Sequence, residues 1–303
     1  MIGEWSWLGI RPRNAIRGIT ATRAAANPLL LASSVSGGFV NGPSVIRVPE
    51  WISSPLGRYY LYFGQHHGKA IRLAHADSLD GPWTIHGQGP LTLDQTPLFR
   101  KSIAAPDVHL DAERGELRMY FRGDGSSSVA RSRDGLSFVP AGEIVSRSYL
   151  RVFYWRGAYY GICKDGNSGW GMLLRSPTGV DAFERRGRFI RGMRHAAVLL
   201  RGERLIVFYS RVGDAPERIV AATVDLHRDW KRWTASGAVD VLAPETGYEG
   251  IEFPNEPSRY GSASDVRQLR DPFVFDDEGR LVLFYSIAGE AGIAMADLTL
   301  ELD

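Results

Sequence analysis

Apolar and aromatic residues gather in short, dense runs at 58–64, 116–122, 158–164, 204–210 and 280–286. A strand-like segment precedes each run, at 44–48, 107–111, 151–155, 196–200 and 271–275. A third segment ending in small residues follows, at 70–76, 127–132, 171–176, 219–224 and 292–296. The runs carry too few polar positions for strands with one wet face, so both faces are expected to be covered. Asp80-Gly81-Pro82, Asp134-Gly135 and Pro177-Thr178-Gly179 supply turns between segments. The stretch from Ser78 to Trp83 introduces an outer strand, and Asp134 to Phe138 echoes it. Helical spacing fades within two turns everywhere. A hairpin unit repeated in this way buries its faces only against its own copies. The expected fold is all-β, a five-bladed β-propeller of four-stranded antiparallel blades around a central axial pocket. Function is then expected on the axis, where the first strands meet.

The repeat spreads over most of the 303 residues, which favours one propeller domain. Residues 1–27 read as an extension or as a strand closing the ring against 291–298. Residues 241–269 are long, polar and irregular, with Pro244, Pro254 and Pro257, and are expected near the pocket mouth. Glu245, Glu249, Glu252 and Glu256 on this loop could deliver a carboxylate on closure, or simply be solvated. The formal charge of +2 is scattered, which argues against nucleic acid as a partner. No apolar stretch is long enough for a bilayer, and the first residues lack a secretory pattern, so a soluble cytoplasmic protein is expected. Cys163 is the only cysteine, which excludes an intrachain disulfide and points to strand packing.

Asn41-Gly-Pro-Ser-Val-Ile46, Ala105-Pro-Asp-Val108, Asp80-Gly-Pro-Trp83 and Arg270-Asp-Pro-Phe273 together resemble the five-bladed propeller glycosidases. These comprise glycoside hydrolase families 43, 32, 68, 117 and 130, the arabinanase, invertase and levansucrase superfamily. The resemblance implies a glycosidase cleaving an oligosaccharide or glycoside. It gives Asp107, in the Ala-Pro-Asp-Val match, a role in tuning a pKa. The superfamily's base position falls on Asn41-Gly42 and its acid position near Ser148-Tyr149, and none of these is a carboxylate. His195 resembles a central histidine that helps hold a metal or water. Arg270-Asp271 resembles the Arg-Asp-Pro of invertases and phosphorylases, here in the fifth blade.

Hydrolysis needs two flanking carboxyl groups, so Asp107 and Asp271 are expected to face each other across the mouth, with one raised in pKa. His109 shares the strand parity of Asp107. His66 and His67, in a hairpin at the same mouth, are candidate proton donors, as is His195. Asn41, His109, Arg122, Arg151, Lys164, Arg211 and Arg270 are expected to bind substrate, and so many cations suit an anionic or heavily hydroxylated carbohydrate. Arg72 and Glu290 add to the charge near the mouth. Asp107, His109, His195 and Asp271 also suit a divalent, calcium-like ion on the axis. Two other readings keep the fold: a sugar-binding propeller without turnover, and a lyase or isomerase using histidine and arginine around an ion.

Overall fold

In the computed structural model, residues 16–33, 38–259 and 264–303 are described. Five antiparallel sheets follow one another around an axis as the blades of a propeller. Their innermost strands are Asn41–Arg47, Ile103–Asp111, Arg151–Trp155, Met193–Arg201 and Arg270–Asp277. Blades 1 to 4 each add three further strands in chain order. Blade 5 is assembled differently: Arg280–Ile287 and Gly292–Leu302 follow its inner strand, and Ile16–Arg23 supplies the outer one, with Ile16 opposite Leu302 and Arg23 opposite Ala296. Leu30–Leu31 also pairs with Gly292–Leu302, further along that strand.

The core divides into five apolar clusters, one at each blade interface. Strand parity explains this division. In Tyr59–Gly64, the residues Tyr59, Leu61 and Phe63 pack against blade 5, while Tyr60 and Tyr62 pack against blade 2. Such strands are buried on both faces, as their dense apolar runs predict. Cys163 is one of these packing residues, fully buried between blades 2 and 3, and burial pushes its thiol up to about 12.

The Ser78 to Trp83 and Asp134 to Phe138 stretches are turns leading into the outer strands Thr84–Thr92 and Val139–Arg147. Among the described residues, helix is confined to the single turns Leu93–Gln95, Trp230–Arg232 and Gly247–Glu249. None is long and apolar enough to cross a membrane.

Candidate active site

Every inner strand is interrupted near its start by the same irregularity. In blade 1 Asn41 pairs with Gly64 and Ser44 with Tyr62; in blade 2 Ala104 pairs with Arg122 and Asp107 with Tyr120. Blade 4 pairs Met193 with Arg211 and Ala196 with Tyr209, and blade 5 pairs Arg270 with Ser286 and Phe273 with Phe284. Two residues therefore oppose one each time, which defines a β-bulge and turns the extra side chain toward the axis. In blade 3 the Ser148 carbonyl accepts from the Lys164 amide at 3.0 Å before Arg151 pairs with Ile162, which gives the same count. The bulged pairs are Gly42-Pro43, Ala105-Pro106, Tyr149-Leu150, Arg194-His195 and Asp271-Pro272. Gly42, Ala105, Tyr149 and Asp271 take φ values of 59°, 51°, 61° and 47°. For the last three, which are not glycine, this is an uncommon backbone state that concentrates at functional sites.

The bulges rim a cavity of about 420 Å³ at one end of the axis. Asn41, His66, His67, Arg122, Lys164, His195 and Asp271 all line it, so these sequence candidates are brought together. Tyr149, Arg194, Arg259 and Glu290 join them.

Glu290 belongs to the hairpin after Arg280–Ile287, and its carbonyl is held by the Val40 amide of blade 1 at 2.9 Å. Its carboxylate accepts from Asn41 Nδ2 at 2.6 Å, with His66 Nδ1 at 3.5 Å and Arg270 Nη1 at 3.6 Å. Burial would push Glu290 up, but the hydrogen bonds from His66 and Asn41 and the charge of Arg270 more than offset it, so its pKa is lowered. Asp271 has weaker support. Ser286 Oγ donates to it at 3.3 Å, and His195 Nδ1 lies 3.1 Å away without hydrogen-bond geometry. Burial and then the neighbouring Glu290 push Asp271 up to about 7, against the opposing charges of Arg270, Arg194 and Arg151. Of the two acids, Asp271 is therefore the one that holds its proton to the higher pH. His195 is held well below its ordinary range by burial and by Arg194, Lys164, Arg270 and Arg151, so its imidazole is neutral.

The remaining sequence candidates lie elsewhere. Asp107 and His109 line a second cavity, also about 420 Å³, with Arg47, Phe273 and Asp277. The expected pairing of Asp107 with Asp271 across one mouth is thus not formed. The order of residues around proline explains the error: Asp271 precedes Pro272 inside the bulge, whereas Asp107 follows Pro106 and matches Phe273. Ala105, the true counterpart of Asp271 in blade 2, lines the mouth.

Arg151 and Arg270 are buried beneath the mouth and do not line it. Arg151 donates to the carbonyls of Ala196, Ala105 and Leu150, tying three inner strands together. Arg270 donates to Glu217 at 3.1 Å and to Ser258 at 2.8 Å, and Arg194 meets the same two partners. Arg211 lies over the Tyr209 ring at 5.8 Å, outside the cavity lining.

Of the loop glutamates, Glu249 is buried against Arg23 and the Tyr285 hydroxyl, and Glu245 also pairs with Arg23. The loop reaches the mouth through Arg259 instead, while its Ser258 accepts from Arg194 and Arg270.

A resident divalent ion does not fit these residues. Asp107 and His109 line a different cavity from His195 and Asp271, and the charges of Arg194, Lys164, Arg270 and Arg151 around His195 would repel a cation there. Among the described residues no three ligating side chains converge.

The architecture has close counterparts among solved structures. A glycoside hydrolase family 43 enzyme from Xanthomonas citri, complexed with xylose, superposes with a TM-score of 0.62 at 16% identity, covering 93% of this chain and 93% of that one. A β-xylosidase/α-arabinofuranosidase from a compost metagenome gives 0.60 at 16% identity over 94% and 98% of the two chains. A glycoside hydrolase from Bacteroides ovatus, itself described as putative, gives 0.64 at 10% identity over 91% and 96%. The chain therefore has the fold of the five-bladed propeller glycoside hydrolases. No family model matches its sequence. It is 38% identical to uncharacterized protein R118 of Acanthamoeba polyphaga mimivirus over 86% of its own length and 83% of that protein's, and it belongs to the same family.

Proposed function

We propose that the protein hydrolyses a glycosidic bond in the bulge-rimmed cavity, with Asp271 as proton donor and Glu290 as the ionised carboxylate. The observation that carries this reading is the divergence of two neighbouring acids: Asp271 is pushed up to about 7 while Glu290 is lowered. A general acid must hold its proton at working pH, and its partner must not. In the bound complex Asp271 protonates the leaving oxygen as the bond to the sugar breaks. Glu290 either takes a proton from the attacking water or attacks the sugar carbon itself. Asn41 and His66 hold Glu290 in its charged form and fix its direction. Neutral His195 confines Asp271 from one side without supplying a counter-charge that would strip its proton.

The superfamily likeness supports a carbohydrate, although the acids differ in position from those implied by the sequence resemblance. Both now come from blade 5. The test is a panel of aryl furanosides, aryl pyranosides and natural oligosaccharides, with products analysed in ¹⁸O-labelled water. Labelled sugar released by the wild type and lost in Asp271→Asn and Glu290→Gln is the expected result. Full turnover in both variants rejects the acid pair, and an unsaturated product replaces hydrolysis with elimination.

A further inference from the structure

The two sides of the cavity carry opposite charge. Blades 5 and 1 contribute Asp271, Glu290, Asn41 and His66; the facing arc, from blades 2 and 3, contributes Arg122 and Lys164. These two cations flank Tyr149, with the guanidinium 5.2 Å and the ammonium 6.0 Å from its ring centroid. Both are half-buried, and among the described residues neither forms an ion pair. The Nε of Arg122 is buried without a hydrogen-bond partner.

Arg194, a third cation of the lining, differs in being neutralised by buried Glu217 at 2.8 Å. Two adjacent, unneutralised cations in a concave site are unfavourable to each other. Burial and then the charges of Arg194 and Arg122 lower the pKa of Lys164. An oxyanion between the two would relieve the repulsion and supply acceptors for the unused donors. Arg259, exposed at the rim, places a further positive charge on the approach.

We infer that Arg122 and Lys164 bind an oxyanionic substituent of the sugar, a carboxylate or a sulfate, so that the substrate is an acidic carbohydrate. This rests on the proposed carbohydrate reading and adds what distinguishes the substrate from neutral pentose chains. Tyr149 supplies an aromatic surface between the two cations, and its position in the blade 3 bulge fixes it at the axis.

The test measures binding separately from turnover. Full-length wild type, Asp271→Asn, Arg122→Gln and Lys164→Gln are applied to oligosaccharide pairs matched in sugar and linkage, one member carrying a carboxylate or sulfate. Inorganic phosphate and sulfate are titrated alongside as free ions. The inference expects the acidic member to bind more tightly by about ten-fold or more, the preference to weaken with salt, and each cation variant to lose about ten-fold to a hundred-fold. Asp271→Asn is expected to retain the preference while losing turnover, so failure of the acid assignment leaves the charge assignment visible. Equal binding of neutral and acidic members overturns the inference, as does an acidic preference unaffected in both Arg122→Gln and Lys164→Gln. Binding of free phosphate or sulfate without any acidic glycan assigns the cations to a free ion and equally overturns it. If no glycan and no ion binds, both the inference and the carbohydrate reading fail.

Discussion

The two axial cavities have similar volumes, and each contains an aspartate beside a histidine, yet the aspartates behave oppositely. At one end Asp107 accepts from the Val152 amide at 3.0 Å and lies 2.9 Å from His109 Nε2. Burial alone would raise it, but His109, Arg151 and the Val152 amide more than offset that and lower its pKa. At the other end Asp271 has one long hydroxyl contact and an acidic neighbour, and it is raised to about 7. Burial is nearly equal, with 4% of each residue exposed, so depth does not separate them. What separates them is the supply of donors together with the like charge of Glu290 beside Asp271. Asp107 is a satisfied structural anion, whereas Asp271 is left short of hydrogen bonds and keeps its proton.

Exchanging each acid for its amide breaks this comparison most directly. Asp271→Asn is expected to reduce turnover by about a thousand-fold or more, in line with loss of a general acid, whereas Asp107→Asn leaves kcat within a few-fold. Comparable loss of kcat in both variants would erase the distinction. Asp107→Asn acts on stability instead. The Val152 amide and His109 both meet Asp107 Oδ2, and the uncharged amide oxygen that replaces it accepts from them more weakly than a carboxylate, so a cost of about 1–3 kcal/mol is expected from denaturant unfolding near neutral pH.

The pH dependence sharpens the same contrast, with opposite signs. Because Asp107 is lowered on folding, its contribution is present above its unfolded pKa and lost as pH falls through the folded one. Asp107→Asn should therefore flatten the acid side of the stability profile. Asp271 is raised, so its contribution is present below its unfolded value and lost as pH rises through about 7. Wild-type kcat/KM should accordingly fall above about pH 7, where Asp271 surrenders its proton. In the smallest effect, Asp271→Asn gains thermal stability relative to wild type at pH 8 but not at pH 4. A wild-type alkaline limb several units higher would remove the acid role.

The blades were legible because their strands are covered on both faces and so appear as uninterrupted apolar runs, with parity fixing which side faces which neighbour. Tyr59–Gly64 shows this most plainly. The site was legible in part. Asn41, His66, His67, Arg122, Lys164, His195 and Asp271 converge on one cavity because each sits at a strand start or hairpin on the same end. Asp107 misled because matching aspartates hides the two-residue offset that matching prolines reveals. Gly42-Pro43, Ala105-Pro106 and Asp271-Pro272 were the available signal. Tyr149 and Arg194 occupy the same bulge without a proline after them, which leaves no local mark. Glu290 was recognisable as a hairpin charge. Its coupling to Asp271 depends on a turn brought beside a strand of its own blade and on the grip of Asn41 from the next.

Blade 5 carries both proposed acids and is also the blade stitched from distant parts of the sequence. Ile16 opposite Leu302 and Arg23 opposite Ala296 place the seam's outer end at both strand extremities. A force drawing those extremities apart would load one hydrogen-bonded rung after another, as in opening a zipper, where shear would load many together. The ring would thus open from the outer edge of the same sheet whose inner strand and hairpin carry the acids.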